Sequence, residues 1–108
     1  MSETQEQLIQ AIAKAKFEAK GEGYNLPPPI KDFKKSVLVA IQAAERCLKN
    51  PSTDNKMKAE REGYHVAIVF GAMNTYGACC LASDYCNEVL GTKNPKIFHN
   101  ESHDEIIP

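Results

Sequence analysis

Apolar positions recur at helical spacing in two stretches of this chain, and then spread around all sides of a third. In the first stretch Leu8, Ile9, Ile12, Ala15 and Ala19 share one face, while Gln7, Gln10, Lys14 and Glu18 lie largely away from it. Ser2 and Gln5 form a capping box ahead of it, and Gly21 after Lys20 is a natural stop. A helix is therefore predicted over about 3–20. Its apolar face is narrow and rich in alanine, so it is expected to bury less than the two later stretches.

Residues Gly21 to Pro29 contain three consecutive prolines and predict a stiff extended connector. The second stretch has the cleanest period. Ile30, Phe33, Val37, Ile41, Ala44 and Leu48 form one stripe, widened by Ala40 and Cys47, with Lys34, Lys35, Gln42, Glu45, Arg46 and Lys49 opposite. This predicts a helix over about 30–50, ended by Asn50-Pro51, because proline disfavours helical backbone at the residue before it. Ser52, Thr53 and Asp54 offer N-caps for the next element.

From Asn55 to Leu90 there is no proline, and Gly91 closes the stretch. A single helix over 55–90 would be roughly 54 Å long at about 1.5 Å per residue. That is long for a chain of this size, so a kink or break is expected near Gly63, Gly71 or Gly77. Val66, Ile68 and Val69 make a strand over 64–70 the local alternative, but no second convincing strand exists to pair with it. Residues 92–108 have no period and are predicted to be an extended tail. The expected fold is thus all-α: one domain over 1–91 with three main helices, the third long and central.

The middle of the third segment sets the expected assembly. Gly63 to Ser83 contains no Asp, Glu, Lys or Arg. Its length suits a membrane span, but Tyr64, His65, Asn74, Thr75 and Tyr76 dilute it, so a membrane-embedded subunit is the least favoured reading. Gly63, Ala67, Gly71, Asn74, Ala78 and Ala82 form a face of small residues that permits close helix approach. The other side is apolar as well, which marks a helix surrounded by others. Two further helices cannot easily cover a third on every side, so completion by a second copy, a homodimer through these residues, is expected. The competing arrangement is a monomer whose apolar patch binds a different protein.

Composition adds constraints rather than an activity. The chain has 108 residues, 43% of them hydrophobic, and a formal net charge of -1, which suits a soluble globular domain and not a dedicated nucleic-acid binder. The polar N-terminus does not resemble a secretory signal, so a cytoplasmic location is expected, with Cys47, Cys79, Cys80 and Cys86 as packed, reduced thiols. Their spacing is not that of a zinc or redox Cys-x-x-Cys motif. His99 and His103 stand four apart but lack the His-Glu-x-x-His order and lie in the tail. His65 is expected to be a buried, hydrogen-bonded histidine; on a continuous helix it lies roughly 21 Å from Cys79 or Cys80, too far for a dyad. No Gly-rich phosphate loop is present.

No catalytic residue, cofactor site or metal site is therefore expected, and the chain is not read as an enzyme. Lys31, Lys34, Lys35, Lys56, Lys58 and Arg61 form a basic surface around the second helix and the start of the third. The leading expectation is a small protein-interaction or regulatory protein of inhibitor, adaptor or immunity type. The alternative is a nucleic-acid-binding regulator that uses the basic helix.

Overall fold

Wherever the apolar pattern is periodic, the helix bounds follow it. A computed structural model describes residues 2–20 and 31–91, apart from the side chains of Lys20 and Lys31. Helix α1 spans Glu3–Lys20, α2 spans Lys31–Lys49, α3 spans Thr53–His65 and α4 spans Met73–Leu90. A π-helical turn, Val66–Phe70, extends α3. Among the described residues there is no strand, so the segment 64–70 is helical. The proline connector and the tail, with His99 and His103, lie outside the described residues.

The helix starts are chemically explained. The Gln5 N–H donates to Ser2 Oγ at 3.0 Å, as the capping pattern requires. Of the three caps offered before α3, Ser52 is used: its backbone is extended, and its Oγ accepts from the Asn55 N–H at 3.1 Å.

The third segment is two helices rather than one. Gly71 has φ 70° and ψ 25°, the left-handed conformation that glycine adopts without a Cβ penalty. Its N–H donates to the Ala67 carbonyl at 3.0 Å, and the Ala72 N–H reaches back to the Val66 carbonyl at 3.1 Å. These bonds satisfy carbonyls that the end of the helix leaves open, as left-handed glycine caps do. The chain then reverses and α4 begins. The sequence allows Gly71 to be either a packing site or a kink; it is an exposed helix stop with nothing within 4 Å of a built Cβ.

Reversal supplies the missing cover. Helix α4 packs on α1, α2 and α3. It runs antiparallel to α3, since Glu60 meets Ser83 and Gly63 meets Cys79. It is also antiparallel to α1: Ser2 Oγ donates to Glu88 at one end, and Asn74 donates to Glu18 at the other. It runs parallel to α2, where Cys79 Sγ donates to the Ala40 carbonyl at 3.5 Å. Helix α4 thus meets all three other helices of its own chain.

Small side chains allow this. Of the 19 buried hydrophobic residues described, nine are alanine and four are cysteine, so helix axes can approach closely. Leu8, Ile12, Val37, Ile41 and Val66 supply the bulk around them. The first helix buries Leu8, Ile12, Ala15 and Ala19 as its period predicts, but Ile9 lies on the exposed side.

Three glycines in this segment should respond differently to alanine. At Gly63 the new Cβ would lie 2.5 Å from Cys79 Cβ, a clash expected to cost about 1–3 kcal/mol. At Gly71 the left-handed backbone should cost about 1–2 kcal/mol. At Gly77, within α4 and with open space around it, the change should stabilise by about 0.5–1 kcal/mol. Urea unfolding of the three variants checks all three signs.

Candidate functional site

Two places in the bundle carry chemistry that its packing does not absorb. The first is a buried polar cluster where α2, α3 and α4 meet. Lys56 and Glu60 stand one turn apart on α3, and their charged atoms lie 3.4 Å apart, with only 7% and 5% of the side chains exposed. Ser83 of α4 donates to the same carboxylate at 2.6 Å. A buried ion pair of this kind persists because each charge has its partner, and here the carboxylate has a further hydrogen bond.

Cys47 and Cys86 lie beside this cluster, both fully buried. The Cys47 thiol donates to the Asn55 carbonyl at 3.4 Å, and its sulfur is in contact with that of Cys86. The two thiols titrate as a pair. That contact draws Cys86 down to about 7, against its own burial, with help from the Ser52 backbone N–H and the Lys56 charge. The same contact, together with burial, pushes Cys47 far upward. Cys79, deep between Gly63 and Ala40, is raised to about 12, chiefly by burial, then by Cys80 and Glu62.

The second place is the end of the bundle where the chain reverses. Tyr64, Ile68, Val69 and Met73 are each more than half exposed, and Phe17 is 79% exposed near the end of α1. The Glu18–Asn74 contact brings that end of α1 to the start of α4. A cleft of about 320 Å³ opens there, lined among the described residues by Glu18, Phe33 and the run Phe70 to Thr75. Phe70 anchors the turn, its ring edge-on to Phe33 at 5.1 Å and to His65 at 5.9 Å.

The expected site residues are distributed differently from their sequence grouping. Of the small-residue face, Gly63, Ala78 and Ala82 are buried inside the chain, Ala67 is half-buried, and Gly71 and Asn74 are exposed. A close helix approach is seen at Gly63, which lies against Cys79 of α4 in the same molecule. Of the basic surface, Lys34, Lys35, Lys58 and Arg61 are exposed, whereas Lys56 is inside, paired with Glu60. Lys31 has its side chain outside the described part.

His65 corrects a further expectation: it is exposed, not buried. The reversal removes the distance that separated it from Cys79 along a continuous helix. Even so, the Cys79 thiol is directed at the Ala40 carbonyl, and the His65 ring rests on Phe70. No dyad is built from them. Among the described residues, no cluster of three His, Cys, Asp or Glu could hold a metal, and no helix is long and apolar enough to cross a membrane.

The ion pair was legible as a Lys-Glu step of four on α3; its burial was not. The Cys47–Cys86 contact had no signal in sequence alone, because it depends on the direction of α4. No protein-family model, curated protein or solved structure matches the chain, so its chemistry stands on its own residues.

Two measurements test the cluster. Lys56→Met should cost about 3 kcal/mol by leaving the Glu60 charge unpartnered. Adding Glu60→Gln should recover much of that loss, since a neutral amide still accepts from Ser83, while exposed Lys58→Met should stay within about 0.5 kcal/mol. The thiols set a pH profile with two limbs. Cys79 is raised, so its contribution is present below pH 9 and lost as pH rises toward 12, at about 1.4 kcal/mol per pH unit. Cys86 is lowered, so its contribution is present above pH 9 and lost as pH falls through 7. Cys47 is raised as well and loses its contribution over the same alkaline range, so stability should peak near pH 9, and Cys79→Ala should make the alkaline limb shallower without abolishing it in unfolding titrations.

Proposed function

We propose that this chain is a small cytoplasmic protein-interaction or regulatory protein, of inhibitor, adaptor or immunity type, that binds a macromolecular partner through its apolar end. The observation that carries this reading is the concentration of exposed apolar bulk. Of the ten large hydrophobic side chains exposed among the described residues, five are at this end: Phe17, Tyr64, Ile68, Val69 and Met73. Folded chains do not ordinarily gather such groups in water; they mark surfaces that another molecule covers. Aromatic and methionine side chains are also those enriched in protein interfaces.

A partner protein suits this surface better than nucleic acid. The described apolar residues offer no phosphate-binding chemistry, and one of the basic residues, Lys56, is committed to Glu60 inside the fold. A homodimer is a narrower form of the same reading, with a second copy as the occupant. The buried positions Gly63, Ala78 and Ala82 would not form its contact, whereas Ile68, Val69 and Met73 would.

Ile68→Glu/Val69→Glu tests the proposal. Both positions are exposed, so stability should change by no more than about 0.5 kcal/mol per site. A photo-crosslinker placed at Phe17 in extract of the native host should join the chain to another protein, and the double variant should weaken that capture at least tenfold. Crosslinking to a second copy, with dimer sedimentation lost in the variant, selects the homodimer. Salt-dependent DNA binding through Lys34 and Lys35, with no protein captured, would overturn the reading in favour of the nucleic-acid regulator.

A further inference from the structure

The parallel register of α2 and α4 brings together two thiols from distant parts of the chain. Cys79 Sγ contacts the Ala40 carbonyl. Seven residues further along each helix stand Cys47 and Cys86. Seven residues are nearly two full turns, so the facing side chains of two parallel helices repeat at that step. The pairing is realised: the Cys47 and Cys86 side chains are in contact, and both are fully buried. Around it Ala40, Ala43, Ala44, Ala78 and Ala82 are buried, which permits the short interhelical separation that a Cys–Cys bridge needs.

We propose that Cys47 and Cys86 are a redox site, oxidised by a small hydroperoxide such as hydrogen peroxide to an intrachain disulfide that ties α2 to α4. The position favours a small oxidant. Both sulfurs are fully buried, but Cys86 accepts the Ser52 backbone N–H, and Ser52 belongs to the α2–α3 corner, where Asn50 is exposed and Pro51 and Ser52 are half-buried. Opening that one corner admits a molecule little larger than water, while a bulky disulfide such as oxidised glutathione would have to part the helices.

Local charge assigns the order of events. Facing Cys86 are the Cys47 thiol from α2, the Ser52 N–H from the corner, and from α3 the Lys56 ammonium, opposed by the Glu60 carboxylate. The positive charge and the backbone donor favour the thiolate, which is the nucleophilic form. The Cys86 thiolate attacks one peroxide oxygen; the O–O bond breaks, and the leaving hydroxide takes up a proton to become water. Cys86 is then a sulfenic acid. The Cys47 sulfur attacks it, the S–S bond forms and the S–O bond breaks, and hydroxide leaves with the Cys47 proton as a second water. In total two thiols lose two electrons and two protons, and one peroxide becomes two waters.

Neighbouring thiols lack this arrangement. Cys79 and Cys80 are adjacent on α4 and point about 100° apart, so they cannot bridge one another within the helix. Cys79 is held as a neutral thiol by its burial.

The test uses the whole reduced chain, which carries four cysteine thiols. It is treated with hydrogen peroxide under native conditions, then unfolded and alkylated. Titratable thiols should fall from four to two, the intact mass should fall by two hydrogens, and peptide mapping should join Cys47 to Cys86. Dithiothreitol should restore all four. Cys79→Ala and Cys80→Ala should crosslink as the parent does, whereas Cys47→Ser should give oxidised Cys86 and no bridge. Loss of Cys47 and Cys86 should be at least tenfold faster than loss of Cys79 or Cys80. A bridge between another pair, a bridge between two chains, sulfinic acid without a bridge, or four intact thiols under conditions that oxidise free cysteine would each overturn the proposal. The parent map decides the matter even if Cys47→Ser does not fold.

Discussion

A segment of 21 residues without a formal charge has to find its packing partners within a chain of only 108 residues. The rest of the structure depends on how that constraint is met. Left as one rod, the segment would need a coat that α1 and α2 alone could not supply. Gly71 resolves this by stopping the helix in a left-handed turn, so half of the segment becomes part of the coat for the other half. Every close approach between α3 and α4, including Gly63 against Cys79, follows from that reversal.

Covering one helix with three others inside so short a chain demands thin contacts. The core meets the demand with alanine and cysteine in place of leucine. Thin contacts bring backbone and polar atoms close to the centre, and this structure uses that closeness. Thiols donate to the carbonyls of Ala40 and Asn55, and the Lys56–Glu60 pair sits where a larger apolar side chain would otherwise fill space. Each arrangement is tolerable only because it is satisfied; a buried charge or hydroxyl without its partner would cost more than alanine packing returns.

The sequence made the all-helical fold and the first two helices legible because their apolar stripes are one-sided. A one-sided stripe states both the element and its direction toward the core, as Val37, Ile41 and Ala44 do. The third segment is apolar on all sides, and that uniformity erased the phase that would locate the break dividing it into α3 and α4. Gly63, Gly71 and Gly77 then looked alike. Their roles differ through backbone angle and neighbours: a close contact, a left-handed stop and an open helix position. That ambiguity also hid the buried Lys56, which looked like one more surface lysine until α4 folded back beside it.

The two ends of the α3–α4 hairpin are held by different means, and this bears on how the molecule can act. Near the α2–α3 corner, α3 has a serine cap and a buried ion pair, the Cys47 thiol bonds it to α2, and Ser83 bonds it to α4. At the reversing end, α4 starts on Ala72 with no side-chain cap and no acidic residue in its first turn. Alanine is a poor N-cap, worth roughly 1 kcal/mol less than serine or aspartate. That end is held instead by the Phe33–Phe70 contact and the Asn74–Glu18 bond. Regions with few buried contacts and weak caps open at lower free energy than the rest of a fold. The exposed side chains of Tyr64, Ile68, Val69 and Met73 therefore sit on the part of the bundle that can adjust to a partner, while the polar cluster keeps the opposite end fixed.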